Sequence, residues 1–86
     1  MKVIYTKHAL EKIEELKKEK WFVTKTKIRQ VIKNPTWRVL TRENQNIVMS
    51  LMDEKHILRI VLGNTGGIIK VITFHIGRRE RYESTL

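Results

Sequence analysis

Apolar residues recur at helical spacing in the first third of the chain and at alternate positions in the rest. Ala9, Leu10, Ile13 and Leu16 lie three to four residues apart, the spacing of one helix face. Thr6 stands ahead of this stripe, where a hydroxyl can accept an unpaired first-turn N–H and so cap the helix. Lys2-Val3-Ile4-Tyr5 before it reads as a short edge strand. A second helix starts at Thr24, with Ile28, Val31 and Ile32 on its buried face. Asn34-Pro35 ends it, because proline disfavours helical geometry in the residue before it. Tyr5 with Leu10, and Val23 with Ile28, occupy the positions of a hydrophobic staple around the two caps. Trp21 and Phe22, in the connection, are expected to close the core between the helices.

From Thr36 the period changes to two. Trp37, Val39 and Thr41 alternate with Arg38, Leu40 and Arg42. Residues 47–52 form a second strand, apolar on both faces, as a central strand is. Residues 56–62 form a third. Gly63-Asn64-Thr65-Gly66-Gly67 follows, a run that tolerates positive φ and predicts a hairpin. Residues 68–76 form the fourth and longest of these strands, after which Gly77 is expected to release a basic tail. The expected architecture is one α+β domain over residues 1–86, in the order β-α-α-β-β-β-β. Two N-terminal helices, each with one apolar stripe, pack on one face of a twisted antiparallel sheet and leave the other face open.

Composition narrows the function. The 86 residues allow one small domain with a thin core, too little for a deep two-domain cleft or a bound dinucleotide. No apolar run reaches the length of a membrane span. Residues 1–8 lack the apolar stretch and cleavage site of a signal peptide, so the expected location is cytoplasmic. With no cysteine, a disulfide, a thiolate zinc site and a cysteine nucleophile are excluded. His8, His56 and His75 are widely spaced, and neither a metal nor another cofactor is expected.

The net charge is +9, which suits a polyanion whose counterions lysine and arginine displace. Most of the excess is early, with ten Lys/Arg against four Glu in residues 1–33. Lys25, Arg29 and Lys33 share one helix face as a candidate nucleic-acid-binding stripe. Arg59 interrupts the apolar run Ile57-Leu58-Arg59-Ile60-Val61-Leu62. A guanidinium cannot shed its proton to escape burial, so Arg59 must face water, an acid or a bound anion. Gly77-Arg78-Arg79-Glu80-Arg81-Tyr82 sets three Arg within four residues after a strand, and arginine can fork onto phosphate oxygens. His75 lies close by, an imidazole suited to proton transfer near neutral pH. No P-loop, GxGxxG, Ser/His/Asp set or carboxylate pair is present.

The segment Val71-Ile72-Thr73-Phe74-His75-Ile76-Gly77-Arg78-Arg79-Glu80-Arg81-Tyr82-Glu83 resembles the last strand and basic tail of RelE-type toxins. The helix pair before an antiparallel sheet is similar to the RelE/ParE-like fold. His8-Ala9 opening one helix and Asn34-Pro35 ending the next resemble small RelE-like and BrnT-type proteins. The likeness spans most of the chain as an order of elements, and residues 57–83 as a motif. It implies the toxin half of a prokaryotic toxin–antitoxin pair, a metal-free endoribonuclease acting on ribosome-associated messenger RNA. In that family one Arg on the penultimate strand and one in the final motif contact the scissile phosphate. Arg59 and Arg79 match them, while Arg78 and Arg81 would hold the nucleic acid. The family's two strand Lys have no counterpart in Val48-Met49-Ser50-Leu51-Met52, and its late Tyr falls near Thr85, with Tyr82 close by. His75 and Tyr82 are the candidates for proton transfer, acid and base unassigned. The implied partners are RNA or the ribosome and an acidic antitoxin, with no membrane and no small-molecule cofactor. The alternative is a non-catalytic nucleic-acid-binding or ParE-like gyrase-inhibiting module of the same fold.

Overall fold

The computed structural model describes residues 2–41, 43 and 45–83, the last two by their backbone alone. Its elements are β1 (Val3–Tyr5), α1 (Lys7–Lys18), α2 (Lys25–Lys33), β2 (Trp37–Leu40), β3 (Asn46–Leu51), β4 (His56–Thr65), β5 (Ile68–Arg78) and α3 (Arg79–Glu83). The strands form one five-stranded sheet in the order β1-β5-β4-β3-β2. β2 to β5 are antiparallel neighbours, but β1 pairs parallel to β5, Val3 opposite Ile69 and Tyr5 opposite Val71. The sheet is therefore mixed, which corrects the all-antiparallel expectation. The cause lies in the connections. Odd numbers of antiparallel steps return β5 along the direction in which β1 starts.

Both caps form as expected. Thr6 Oγ1 accepts from the Ala9 N–H at 3.0 Å, and Thr24 Oγ1 from the Lys27 N–H at 3.1 Å. Thr6 does more. Its hydroxyl donates to the Ile72 carbonyl at 2.6 Å, and its N–H donates to the Val71 carbonyl. α1 ends in a Schellman arrangement: the Lys20 N–H reaches the Lys17 carbonyl and the Trp21 N–H the Leu16 carbonyl. Lys20 takes the left-handed position that glycine usually fills, at φ 66°.

One core cluster joins both helices to one sheet face. It contains Ala9, Leu16, Val23, Ile28, Val31 and Ile32 with Val48, Leu58, Ile60, Leu62, Val71 and Phe74. Leu10 stays 42% exposed and Phe22 63% exposed, so Leu10 leaves the staple and Phe22 does not close the core. Val23 takes the place expected of Phe22, because the left-handed turn at Lys20 aims Trp21 and Val23 inward. A second, smaller cluster lies on the face away from the helices: Ile47, Met49, Ile57 and Val61, flanked by Trp37, Leu51 and Ile72.

The β4–β5 hairpin is longer than its sequence suggests. Both strands run on to a two-residue turn at Gly66-Gly67, with φ 56° and 79°, the positive-φ pair that matches strand twist. The pairing shifts once. Val61 lies opposite Thr73 but Leu62 opposite Val71, leaving Ile72 as the extra residue of a bulge. Gly63 accommodates it, since a Cβ there would stand 3.3 Å from Ile72 Cδ1. At its far end β5 continues through Gly77, opposite Ile57, to Arg78. Residues 79–83 then coil into α3, where a loose tail was expected. The Arg79 N–H donates to the Lys55 carbonyl at 2.8 Å and anchors the turn into that helix.

Three outcomes are expected in urea unfolding. Thr24→Ala loses a cap worth about 1 kcal/mol, whereas Thr6→Ala loses a cap and the tie to Ile72, about 2 kcal/mol together. Lys20→Gly stabilises by about 1 kcal/mol by relieving the left-handed backbone.

Candidate functional site

Register decides which side chains meet on the face that the helices leave open. Trp37 lies opposite Met49, Met49 opposite Arg59, and Arg59 opposite His75. These four residues form one row across the sheet. Directly opposed side chains have Cβ atoms about 5 Å apart. Arg59 is flanked along its own strand by Ile57 and Val61, both buried in the second cluster. Its stem thus crosses apolar surface. Among the described residues no hydrogen bond or ion pair engages its guanidinium. Of the three readings left open for Arg59, a partner acid is absent from the described residues, and water or a bound anion remains.

α1 brings further basic side chains to the row. β1 covers the edge of β5 only as far as Val71, and α1 packs on β5. His8 and Lys12, four residues apart on one face of α1, come within electrostatic reach of His75. Burial first, and then the charges of Lys12, Arg59 and His8, hold the His75 imidazole below its ordinary value of 6.5. A depressed histidine among cations is neutral at pH 7. The neutral ring is available as a base, and the same cations, which oppose its protonation, favour an anion beside it.

The other candidate residues fall elsewhere. Arg78 ends β5 opposite His56, and Arg79 opens α3. Arg79 lies four residues past His75, about 13 Å at strand rise. The basic motif therefore collects at the end of the sheet, not on the Arg59 row. Arg81 is exposed on α3. The Tyr82 side chain and Thr85, like Arg42, lie outside the described residues. Lys25, Arg29 and Lys33 belong to α2, whose buried face joins the helix-side core, so the sheet separates them from the row. Lys25 Nζ sits 5.2 Å from the Tyr5 ring centroid in a cation–π contact. Burial pushes the Tyr5 phenol up, and the nearby Arg29 charge partly offsets this. Lys33 borders a shallow groove with Lys27, Gln30, Asn34 and Ser50.

Sequence reasoning missed His8 and Lys12 at this site. Their i, i+4 spacing was visible, but the side of the sheet they reach depends on where β1 stops. Among the described residues no group of three or more His, Asp or Glu could hold a metal, and no helix is long and apolar enough to cross a membrane. No family model matches the chain, and neither a curated protein nor a solved structure matches it.

The depressed His75 sets a pH dependence. Between pH 6.5 and the lower native value, the unfolded chain binds a proton that the native state refuses. Stability from this group is therefore full above 6.5 and falls as pH drops through that window. Urea titrations at pH 7.5 and 5 are expected to show a larger acid loss for the native chain than for His75→Gln.

Proposed function

We propose that this chain acts on RNA as a RelE/ParE-like toxin, a metal-free endoribonuclease held in check by an acidic antitoxin. One observation carries the reading. A half-buried arginine without an acidic partner among the described residues stands directly opposite a neutral-biased histidine, on a sheet face that the helices leave uncovered.

In this reading a phosphodiester lies across the row. Neutral His75 takes the proton of the 2′-hydroxyl, whose oxygen attacks the adjacent phosphorus. The bond to the 5′ oxygen breaks and that oxygen takes a proton from solvent, giving a 2′,3′-cyclic phosphate and a 5′-hydroxyl. Arg59, with Lys12 behind His75, stabilises the charge that develops on the phosphoryl oxygens, commonly the largest catalytic term. Placed on rigid strands, Arg59 and His75 are well positioned for this. The stripe Lys25, Arg29 and Lys33 on the other layer steers RNA or ribosome toward the protein without touching the reacting phosphate.

A second reading has an observation of its own. Met49 holds the β3 position opposite Arg59, so that strand supplies no cation to the row. This favours a module that binds nucleic acid, or inhibits gyrase, without cleaving.

The test is cleavage of an end-labelled oligoribonucleotide in the presence of EDTA. The native chain is expected to leave a cyclic phosphate. Arg59→Ala and His75→Ala each slow it by about 100-fold, and the native rate falls as His75 is protonated. Equal activity in all three proteins overturns the site. Arg59-dependent RNA retention without cleavage selects the second reading.

A further inference from the structure

A pocket of 530 Å³ opens at the end of the sheet, between the β3–β4 turn and the β5–α3 junction. Its volume lies in the range of small-ligand sites. Glu54, Lys55 and His56 line it from the turn and β4, Arg78 from β5, and Arg79 and Glu80 from α3. None of them belongs to the Arg59–His75 row. His56 alternates to the helix side of β4, and Trp21, from the α1–α2 connection, meets its ring edge-on at 4.8 Å between centroids.

His56 is held in one orientation. Its Nδ1 donates to the Asp53 carboxylate, with oxygens at 2.9 and 3.0 Å. Asp53 also accepts from the Lys55 N–H at 2.8 Å. That backbone bond, and then the His56 bond, keep the Asp53 carboxyl below its ordinary range, so the carboxylate is charged across the physiological range. With Nδ1 engaged, Nε2 is the ring nitrogen left for a ligand, and it has no hydrogen-bond partner among the described residues. Arg78 is the direct cross-strand partner of His56. An exposed Asp–His pair at a turn needs neither an arginine opposite nor a pocket in front of it. Here both are present.

We infer that this pocket binds a ribose phosphate, the terminal 5′-phosphate and sugar of a nucleotide. Arg78, Arg79 and Lys55 supply donors for phosphate oxygens, in the manner of charge-assisted and forked arginine contacts, while the His56 Nε2, its ring proton being on Nδ1, accepts from a sugar hydroxyl. Glu54 and Glu80 supply acceptors for sugar hydroxyls, the role carboxylates take toward ribose in dinucleotide sites. A sugar offers the two glutamates a pair of hydroxyl donors that inorganic phosphate, smaller and more highly charged, cannot span, so the sugar contributes to selectivity. Asp53 is a positioning residue, acting only through the ring it holds. The site stands whether or not the open face cleaves RNA.

The experiment follows the ring resonances of His8, His56 and His75 by NMR in the full chain. Adenosine 5′-monophosphate is expected to move His56 saturably and leave His75 still. Inorganic phosphate moves it only at higher concentration, and adenosine does not. Arg78→Ala and Asp53→Asn each weaken binding by about tenfold, with folding checked by thermal unfolding and with Arg78→Lys as a milder variant. Arg59→Ala leaves the affinity unchanged. A 5′-phosphorylated tetranucleotide that binds where its 5′-hydroxyl counterpart does not makes the ligand an RNA end. Binding of the monophosphate but of neither oligonucleotide makes it a free nucleotide, and both outcomes support the pocket. An unmoved His56, or equal binding of adenosine and its phosphate, overturns it. Movement of His56 with RNA left intact separates this site from the cleavage reading, and cleavage with His56 unmoved separates them the other way.

Discussion

The arrangement of this protein depends on one extra residue in β5. Ile72 has no partner in β4, and its insertion moves the register by one between Leu62 and Val61. Because side chains alternate at every residue, a shift of one exchanges the two faces. Without the bulge, Arg59 would oppose Phe74, and Phe74 is the largest fully buried side chain of the core. The hairpin turn would then set one face correctly near Gly66 and the wrong face beyond Gly63. The bulge lets the Gly66-Gly67 turn, the helix-side core and the Arg59–His75 pair coexist in one hairpin.

Several unrelated residues converge to hold that insertion. Thr6 accepts from the helix behind it and donates to the Ile72 carbonyl ahead of it, so the cap of α1 and the bulge share one hydroxyl. Gly63 leaves space for the Ile72 side chain, which in turn flanks the second apolar cluster. The same few atoms thus fix where α1 begins, how β1 ends and which face His75 joins. The cations that α1 brings to His75 are a consequence of this junction and not of α1's own sequence.

Most elements were legible because their signals are local. The caps at Thr6 and Thr24, the stop at Asn34-Pro35 and the period-two runs need only neighbouring residues to be read. Arg59 stood out because a permanent charge in an apolar strand admits few environments. What escaped the sequence is what depends on partners far along the chain. The parallel pairing of β1 joins residues 3–5 to 69–71. The bulge is invisible in a strand that reads as continuously apolar. α3 follows from an anchor at Lys55, on another element. The resemblance matches Arg59 and Arg79 by position in a motif, and the register sets Arg59 opposite His75 in mid-sheet and Arg79 at the start of α3. His56 drew little notice because an Asp three residues before a His is a common turn pattern, and only its neighbour across the strand gives it meaning.

The union of β1 with β5 also sets an order of events in time. The segment at residues 3–5 finds its partner more than sixty positions later, and the Thr6 hydroxyl waits for the carbonyl of residue 72. During synthesis α1 and α2 can form early and α2 can meet β3 and β4, but α1 has no strand to pack on until β5 is made. Closing so long a loop is slow relative to hairpin formation. It is this long-range closure that brings His8 and Lys12 to His75. Until then the nascent chain lacks the basic cluster of His8, Lys12 and Arg59 around His75.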